Sequence, residues 1–401
     1  MSEPASTTSR DIHRQILLLS TAAFASSATM RVADPLLPEL SMEFSVTAGE
    51  AGIIVTAFAF AYGLCQLFYG PLGDRFGKFT IVFAATLFSA FTVGSAAASH
   101  SLEMLGLLRL IAGAGAAAII PLSMAYIGDT VPYGERQALL ARFMSGQILG
   151  IIFGQAFGGI FAQLLGWRGL FVVLGACYLV VALLLWRELR SPRVRERRSD
   201  RIDFLALPGR YLSLFKSATV RLVVSTVCIE GFLSFGSIAY LGAYLHDRYG
   251  LSLGVIGLVI ACFGLGGLLY VLVARRLVAR LGERRMALSG GLLMAVGLGG
   301  SVLVADWRIV PLFTTTLGLG FYLLHNTLQT NATQMAPHAR GMAMSVFASV
   351  LFIGTALGAA VFGGIIDWIG YRPVFLGCGA GLAVLAASFA HHLGRRTEAL
   401  A

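Results

Sequence analysis

Residues 70–78 read Gly-Pro-Leu-Gly-Asp-Arg-Phe-Gly-Lys, and their setting constrains the fold more than anything else in the chain. An apolar run over about residues 52–69 leads in, and another over about 79–98 leads out. Each is long enough to cross a bilayer as a helix, which takes about 20 residues. Gly70 and Gly77 bracket Asp74 and Arg75, and Lys78 follows directly. Glycine lets the chain reverse quickly and lets two helices approach closely, so this is a tight hinge at a membrane surface. Its basic residues mark that surface as cytoplasmic.

The rest of the 401 residues agree. Only 12% are charged and 57% are hydrophobic, whereas an average soluble chain carries about 25% charged residues. The net charge of +10 does not imply nucleic acid, because ten of the 30 Lys and Arg lie between Arg187 and Arg221 and most others fill short gaps between apolar runs. No basic face is interleaved with aromatics, so the charge reads as topology. The five cysteines, at 65, 177, 228, 262 and 378, lie in apolar runs without metal-binding spacing and read as small buried apolar side chains. The first apolar run has no small-residue cleavage site and continues into Arg31 and Asp34, which predicts a retained first helix.

Twelve apolar segments can be marked, at about residues 15–38, 50–70, 79–98, 102–127, 138–165, 169–187, 218–245, 253–278, 285–305, 309–334, 341–366 and 371–393. The one long connection, about 188–217, is rich in arginine and interrupted by Pro192 and Pro208. It divides the chain into an N-terminal six-helix bundle (1–187), a cytoplasmic linker (188–217) and a C-terminal six-helix bundle (218–401). Shifted by 204 residues, the fifth and eleventh segments match at Arg136/Arg340, Phe143/Phe347, Ser145/Ser349, Gly150/Gly354, Gly154/Gly358, Gly166/Gly370 and Arg168/Arg372. Glycine bias alone does not align arginines and phenylalanines, so the halves are a parallel repeat. Gly282 matches Gly77 at a shift of 205, in a degenerate copy of the hinge.

The pattern Gly70-x-x-x-Asp74-Arg75-x-Gly77-Lys78 between the second and third segments resembles the signature loop of the major facilitator superfamily. The segment Arg109-Leu-Ile-Ala-Gly113-Ala-Gly115 resembles the fourth-helix motif of its proton-driven antiporters. Gly146, Gly150, Gly154 and Gly158 line one face of the fifth helix and resemble the antiporter motif there, with Gln155 in place of a proline. The resemblance implies an all-α membrane protein of twelve helices, a monomer in a bacterial inner membrane. It further implies that Arg109 faces a central cavity and tunes a nearby acid, and that Asp74 caps the N-terminus of helix eleven, where the dipole favours an anion. With Asp129, Glu135 and Arg136, Asp74 would latch the outward-facing state.

Ionisable groups inside a membrane are costly and mark function. Asp34 and Arg31 sit near the outer end of helix one and Arg109 near that of helix four, Asp34 and Arg109 each about 9 Å deep at ~1.5 Å per residue. Asp34 and Arg109 can pair, either to couple protons or only to hold the helices together; Arg31 either faces the cavity or snorkels to headgroups. Glu230, near mid-membrane in helix seven, is a second candidate for proton exchange. His325, Asn326, Gln329 and Thr333 share one face of helix ten, to bind substrate or to bond other helices. The acceptor-like Asn331-Ala-Thr333 lies within a span and carries no glycosylation expectation.

These features predict secondary transport of a small molecule: efflux of an organic compound in exchange for protons, or alternatively proton-coupled uptake. No cofactor is expected. No nucleophile, metal cluster or Walker motif supports an enzyme or an ATP-driven pump. Of the 30 basic residues, four (Arg168, Arg248, Arg308, Arg372) fall in gaps on one side, three (Arg31, Arg109, Arg142) within runs, and the remaining 23 on the other side. Both termini are therefore expected to be cytoplasmic. Reporter fusions at residue 200 and at the C-terminus should be active only as cytoplasmic reporters; periplasmic activity at either point would sink the topology.

Overall fold

The computed structural model describes residues 9–191, 194 and 207–398; part of the expected linker, 192–193 and 195–206, lies outside them. Among the described residues there is helix and no strand. In chain order the main rods are α1 (Ser9–Arg31), α2 (Ala48–Phe76), α3 (Lys78–Ala98) and α4 (Leu102–Thr130). Next come α5 and α6, residues 133–165 and 167–189 of Tyr133–Leu189, then α7 (Ala218–Tyr249). Residues 253–281 and 283–303 of Leu253–Leu303 are α8 and α9, followed by α10 (Trp307–Gln334), α11 (Pro337–Ile369) and α12 (Tyr371–Gly394).

Ten stretches of the described residues are long and apolar enough to cross a membrane, against the twelve expected. The difference has two sources. The 52-residue stretch Ala138–Leu189 counts once, although Gly166 breaks it with φ 69°, ψ 164°. And α1 is diluted by Ser20, Thr21, Ser26, Ser27 and Thr29. Of these, Ser20 and Thr21 bond back to carbonyls of their own helix, at 2.7 Å each.

Close backbone contacts reproduce the sequence repeat. A Cβ at Gly150 would lie 2.4 Å from the carbonyl oxygen of Phe24, and one at Gly154 2.5 Å from that of Ala28. The equivalents 204 residues later, Gly354 and Gly358, meet the carbonyls of Cys228 and Phe232 at 2.2 and 2.1 Å. Both partner pairs are themselves 204 apart. Gly113 meets Phe58 and Gly318 meets Phe263 in the same way, offset by 205 in both members. Thus α1 lies on α5 as α7 lies on α11, and α2 on α4 as α8 on α10. The turns repeat too: Gly77 and Gly282 have φ 98° and 66°, and Gly166 and Gly370 have φ 69° and 83°.

The rods meet at two ends. One end carries the start of α1, the finish of α12 and the 70–78 hinge, and is called the terminal end here. There Arg14 and Gln15 reach the buried Glu188 of α6, at 3.1 and 3.5 Å, and Tyr126 of α4 donates to Gln15 at 2.8 Å. At the far end the segment after α1 folds over α6. Trp167 donates to Glu43 at 2.5 Å, Arg168 pairs with the same carboxylate, and Arg168 also donates to the Ser99 carbonyl at 3.0 Å. Burial pushes the Glu43 carboxyl up, but these indole and guanidinium bonds outweigh it and hold it below its ordinary value.

The glycine contacts generate a stability test. Gly154→Leu forces side-chain atoms into the backbone of α1, and overpacking of this kind costs about 1–3 kcal/mol. The purified variant should melt below wild type, whereas Gly364→Ala, where a Cβ meets nothing within 4 Å, should melt with it. Equal melting of Gly154→Leu and wild type would contradict the close contact.

Candidate functional site

Asp34 does not sit in a regular helix. The residue before a proline is pushed out of the helical region, and Pro35 has no N–H to give. So α1 ends at Arg31, and residues 32–36 form irregular backbone buried among the rods. Such backbone at membrane depth is tolerated where protein surrounds it. Asp34 is 0% exposed. Its Oδ2 accepts from Nε2 of Gln155 on α5 at 3.0 Å and lies 3.9 Å from Nη1 of Arg31. Oδ1 has no hydrogen-bond partner among the described residues.

The expected pairing of Asp34 with Arg109 is not formed. Arg109, also buried, donates from Nε to the Ile54 carbonyl of α2 at 3.2 Å and from Nη1 to the Thr29 carbonyl of α1 at 3.0 Å. Its guanidinium lies 4.2 Å from the centre of the Phe58 ring. Sterics explain this: the close approach of Gly113 to Phe58 brings backbone carbonyls within reach before any carboxylate. In the second half Thr314 occupies the equivalent place, 205 residues on, and donates to the Val259 carbonyl at 2.9 Å, again 205 beyond Ile54.

Arg31 does not snorkel. It is 5% exposed, and its guanidinium lies 3.8 Å from the centre of the Phe235 ring on α7. Phe235 packs on Phe321 of α10 at 4.8 Å, and Phe321 stacks on His325 at 4.8 Å with 15° between planes. His325 Nδ1 is 2.8 Å from Oε2 of Glu230, which is 0% exposed. Two candidates that the sequence kept apart are thus one pair. Asn326 and Gln329 are half-buried nearby, and Asn326 spends its amide N–H on the Tyr322 carbonyl of its own helix at 2.8 Å. Thr333 is exposed and bonds within its helix.

The hinge is arranged differently from the expected latch. Lys78 joins Asp74 at 2.8 Å to Asp129 at 2.6 Å, binding α2 and α3 to α4. Asp74 is therefore satisfied within the first half and does not cap α11. Arg136 donates to the Val131 carbonyl at 3.2 Å, within its own turn. Gly70, and Gly341 in the first turns of α11, face open space. The α2–α11 seam is closed elsewhere: Gly63 touches the Ser349 carbonyl and Gly49 the Gly363 backbone, while Gly52 meets the Tyr240 hydroxyl of α7. The two helices are in contact from the far end to Gly63 and diverge by Gly70.

A carboxylate closes the far end. Asp367 of α11 accepts from Thr47 Oγ1 at 2.7 Å and from the Gly49 N–H at 3.1 Å. Thr47 is also the N-cap of this helix start and accepts from the Glu50 N–H at 3.1 Å. Across the other seam Gln163 of α5 accepts from the Gly254 N–H of α8 at 3.0 Å. Sequence reasoning passed over Asp367, which reads as an ordinary acid at a helix end. It noted Gln155 only as a missing proline, although a glutamine among glycines in a span is itself a polar signal.

The sequence profile of the Major Facilitator Superfamily matches residues 19–255 and 223–399. The chain belongs to that superfamily. Its curated relatives include the uncharacterized MFS-type transporter YceJ of Bacillus subtilis, 27% identical over 87% of this chain and 88% of that one. Another is the chloramphenicol resistance protein of Streptomyces lividans, 26% identical over 86% and 87%. Among solved structures, a bacterial homolog of the human lysosomal transporter Spinster superposes with TM-score 0.73 at 19% identity, covering 97% of this chain and 98% of that one. That likeness shows the fold. This major facilitator is accordingly a multi-pass membrane transporter and not an enzyme.

The far-end contacts make a prediction. An anion at a helix N-terminus contributes roughly 0.3–1 kcal/mol when exposed, up to ~2 when partly buried. Asp367→Asn should therefore raise the population open at the far end several-fold. Spin labels at positions 42 and 303, in a background without the native cysteines, should report a longer distance component; an unchanged distribution would refute the clasp.

Proposed function

We propose that this protein exports a small organic compound in exchange for protons, by rocking residues 1–187 against 218–401 about the central site. The terminal end is the cytoplasmic face of a bacterial inner membrane and the far end the periplasmic face. The arrangement described is then open inward. The reading of export draws on the chloramphenicol resistance protein among the relatives.

The observation that carries proton coupling is the position of Asp34 in the closed seam. A Cβ at Gly242 of α7 would lie 2.6 Å from the Asp34 carbonyl, and one at Gly257 of α8 2.4 Å from the Gln155 carbonyl. Both members of the Asp34–Gln155 pair thus lean directly on helices of the other half. Opening the far end withdraws those helices and brings periplasmic water to the carboxyl; closing it encloses whatever proton was taken up. Arg31 is the nearest positive group on the inner side, and a substrate that engages Arg31 changes the field at Asp34. Competition between proton and substrate for that field gives exchange.

Proteoliposomes with an imposed pH gradient, screened against organic compounds with chloramphenicol among them, test this reading. An exporter of this kind moves substrate against the proton flux; movement along it would make the carrier a symporter. Asp34→Asn keeps shape and hydrogen bonding but removes the titrating group. It should abolish gradient-driven movement while substrate binding survives. Full gradient-driven transport in that variant would remove Asp34 from the mechanism.

A further inference from the structure

We propose that Glu230 and His325 form a second proton-binding site, in the second half of the chain, that loads through the imidazole. The inference rests on the coupling read above for its role in transport, but the site itself stands on its own geometry.

Glu230 has one carboxylate oxygen on His325 Nδ1 at 2.8 Å, and its other oxygen, Oε1, is buried with no hydrogen-bond partner among the described residues. Ser234 does not supply one, since its hydroxyl donates to the Glu230 backbone carbonyl at 2.5 Å. A buried acceptor left open in this way is costly for a fixed structural contact. It suits a group that alternates between carboxylate and acid. Among the described residues no other charged side chain is bonded to the pair. From α10 the titratable group facing Glu230 is His325; α11 brings Phe347, 5.3 Å from the imidazole, and the Leu351 carbonyl against Gly231; α12 brings Gly381 against Leu233. From α1 comes Arg31, which lies over Phe235 instead.

Access is one-sided. The Glu230 side chain is 0% exposed and that of His325 14%. Because Nδ1 faces the carboxylate, Nε2 is the nitrogen left for solvent. With the proton on Nδ1, a hydronium gives its proton to Nε2, the Nδ1–H bond breaks and an O–H bond forms on Oε2. The imidazole ends neutral as the other tautomer, the carboxylate ends as a neutral acid, and one water is released. Departure of the proton reverses each bond change. The pair holds one proton at zero net charge whether written as carboxylate with imidazolium or as acid with imidazole, and unbalanced charge there is expensive. Loading and unloading are thus tied to the moments when water or a counter-charge reaches His325.

The second site is also connected to the first. Asp34, Arg31, Phe235, Phe321, His325 and Glu230 form an unbroken run of contacts, with Arg31 on Phe235 as the step that crosses between halves. One acid thus lies in each half, and movement of Arg31 is sensed by both.

Infrared titration of the whole purified protein in lipid nanodiscs reads the carbonyl stretch of protonated carboxyl groups, with the proton itself as the ligand. Wild type should show a buried acid band that Glu230→Gln removes and Asp34→Asn leaves. His325→Phe, which keeps the ring stacking, should shift the midpoint of that band by about one pH unit or more, as expected for strongly coupled groups. It serves also if Glu230→Gln does not accumulate. A carboxyl spectrum that Glu230→Gln leaves unchanged at every pH, or a midpoint that His325→Phe leaves in place, overturns the second site. A missing Asp34 band with the Glu230 band present overturns instead the coupling at Asp34.

Discussion

Backbone against backbone is the contact on which this fold depends. Inside a bilayer no hydrophobic force drives helices together, because lipid is as apolar as leucine. Close packing has to do it, and close packing needs residues without side chains. Gly150 and Gly154 let α5 lie on the carbonyls of α1; Gly354 and Gly358 let α11 lie on those of α7. These contacts also set the polar chemistry. The carbonyls of Thr29 and Ile54 reach Arg109 because α1, α2 and α4 are so near each other. Held by these two carbonyls and the Phe58 ring, Arg109 takes no carboxylate, although its Nη2 has no hydrogen-bond partner among the described residues, and that leaves Asp34 available for a weaker, more changeable partner.

What the sequence revealed follows from the same physics. The glycine spacing and the 204-residue repeat are local, additive signals, and both reappear in the contact partners. The hinge glycines Gly77 and Gly282 were legible because positive φ leaves few alternatives to glycine. The pairing of buried charges was less legible. Depth along a straight helix placed Asp34 beside Arg109, but Pro35 ends the helix and turns the carboxyl toward Gln155. Depth says nothing about azimuth, and the break over residues 32–36 changes azimuth. His325 and Glu230 come from helices 95 residues apart in sequence, and no spacing rule joins them. The cysteines, expected to be buried, are mostly only partly so: Cys378 is buried and Cys177 exposed. An apolar lipid face accepts a small thiol as readily as a core does.

The two ends of the molecule then stand in different conditions although their parts are alike. At the far end Asp367, at the finish of α11, accepts from the first turn of α2 and so joins an anion to the positive end of a helix dipole across the halves. At the terminal end the roles are reversed, because α2 and α11 run antiparallel. There Asp74, at the finish of α2, is the anion, and the first turns of α11 are the free helix start, with Gly341 facing open space. In the present arrangement Lys78 holds Asp74 instead. The same carboxylate cannot be fully bonded to both. A rocking motion that brings α11 to the hinge offers Asp74 a helix N-terminus while it draws Asp367 away from Thr47 and Gly49. Each end would then lose one charge–dipole contact as the other gains one. Two states balanced in this way differ by little, which is the condition for a small input such as one proton or one bound substrate to move the equilibrium.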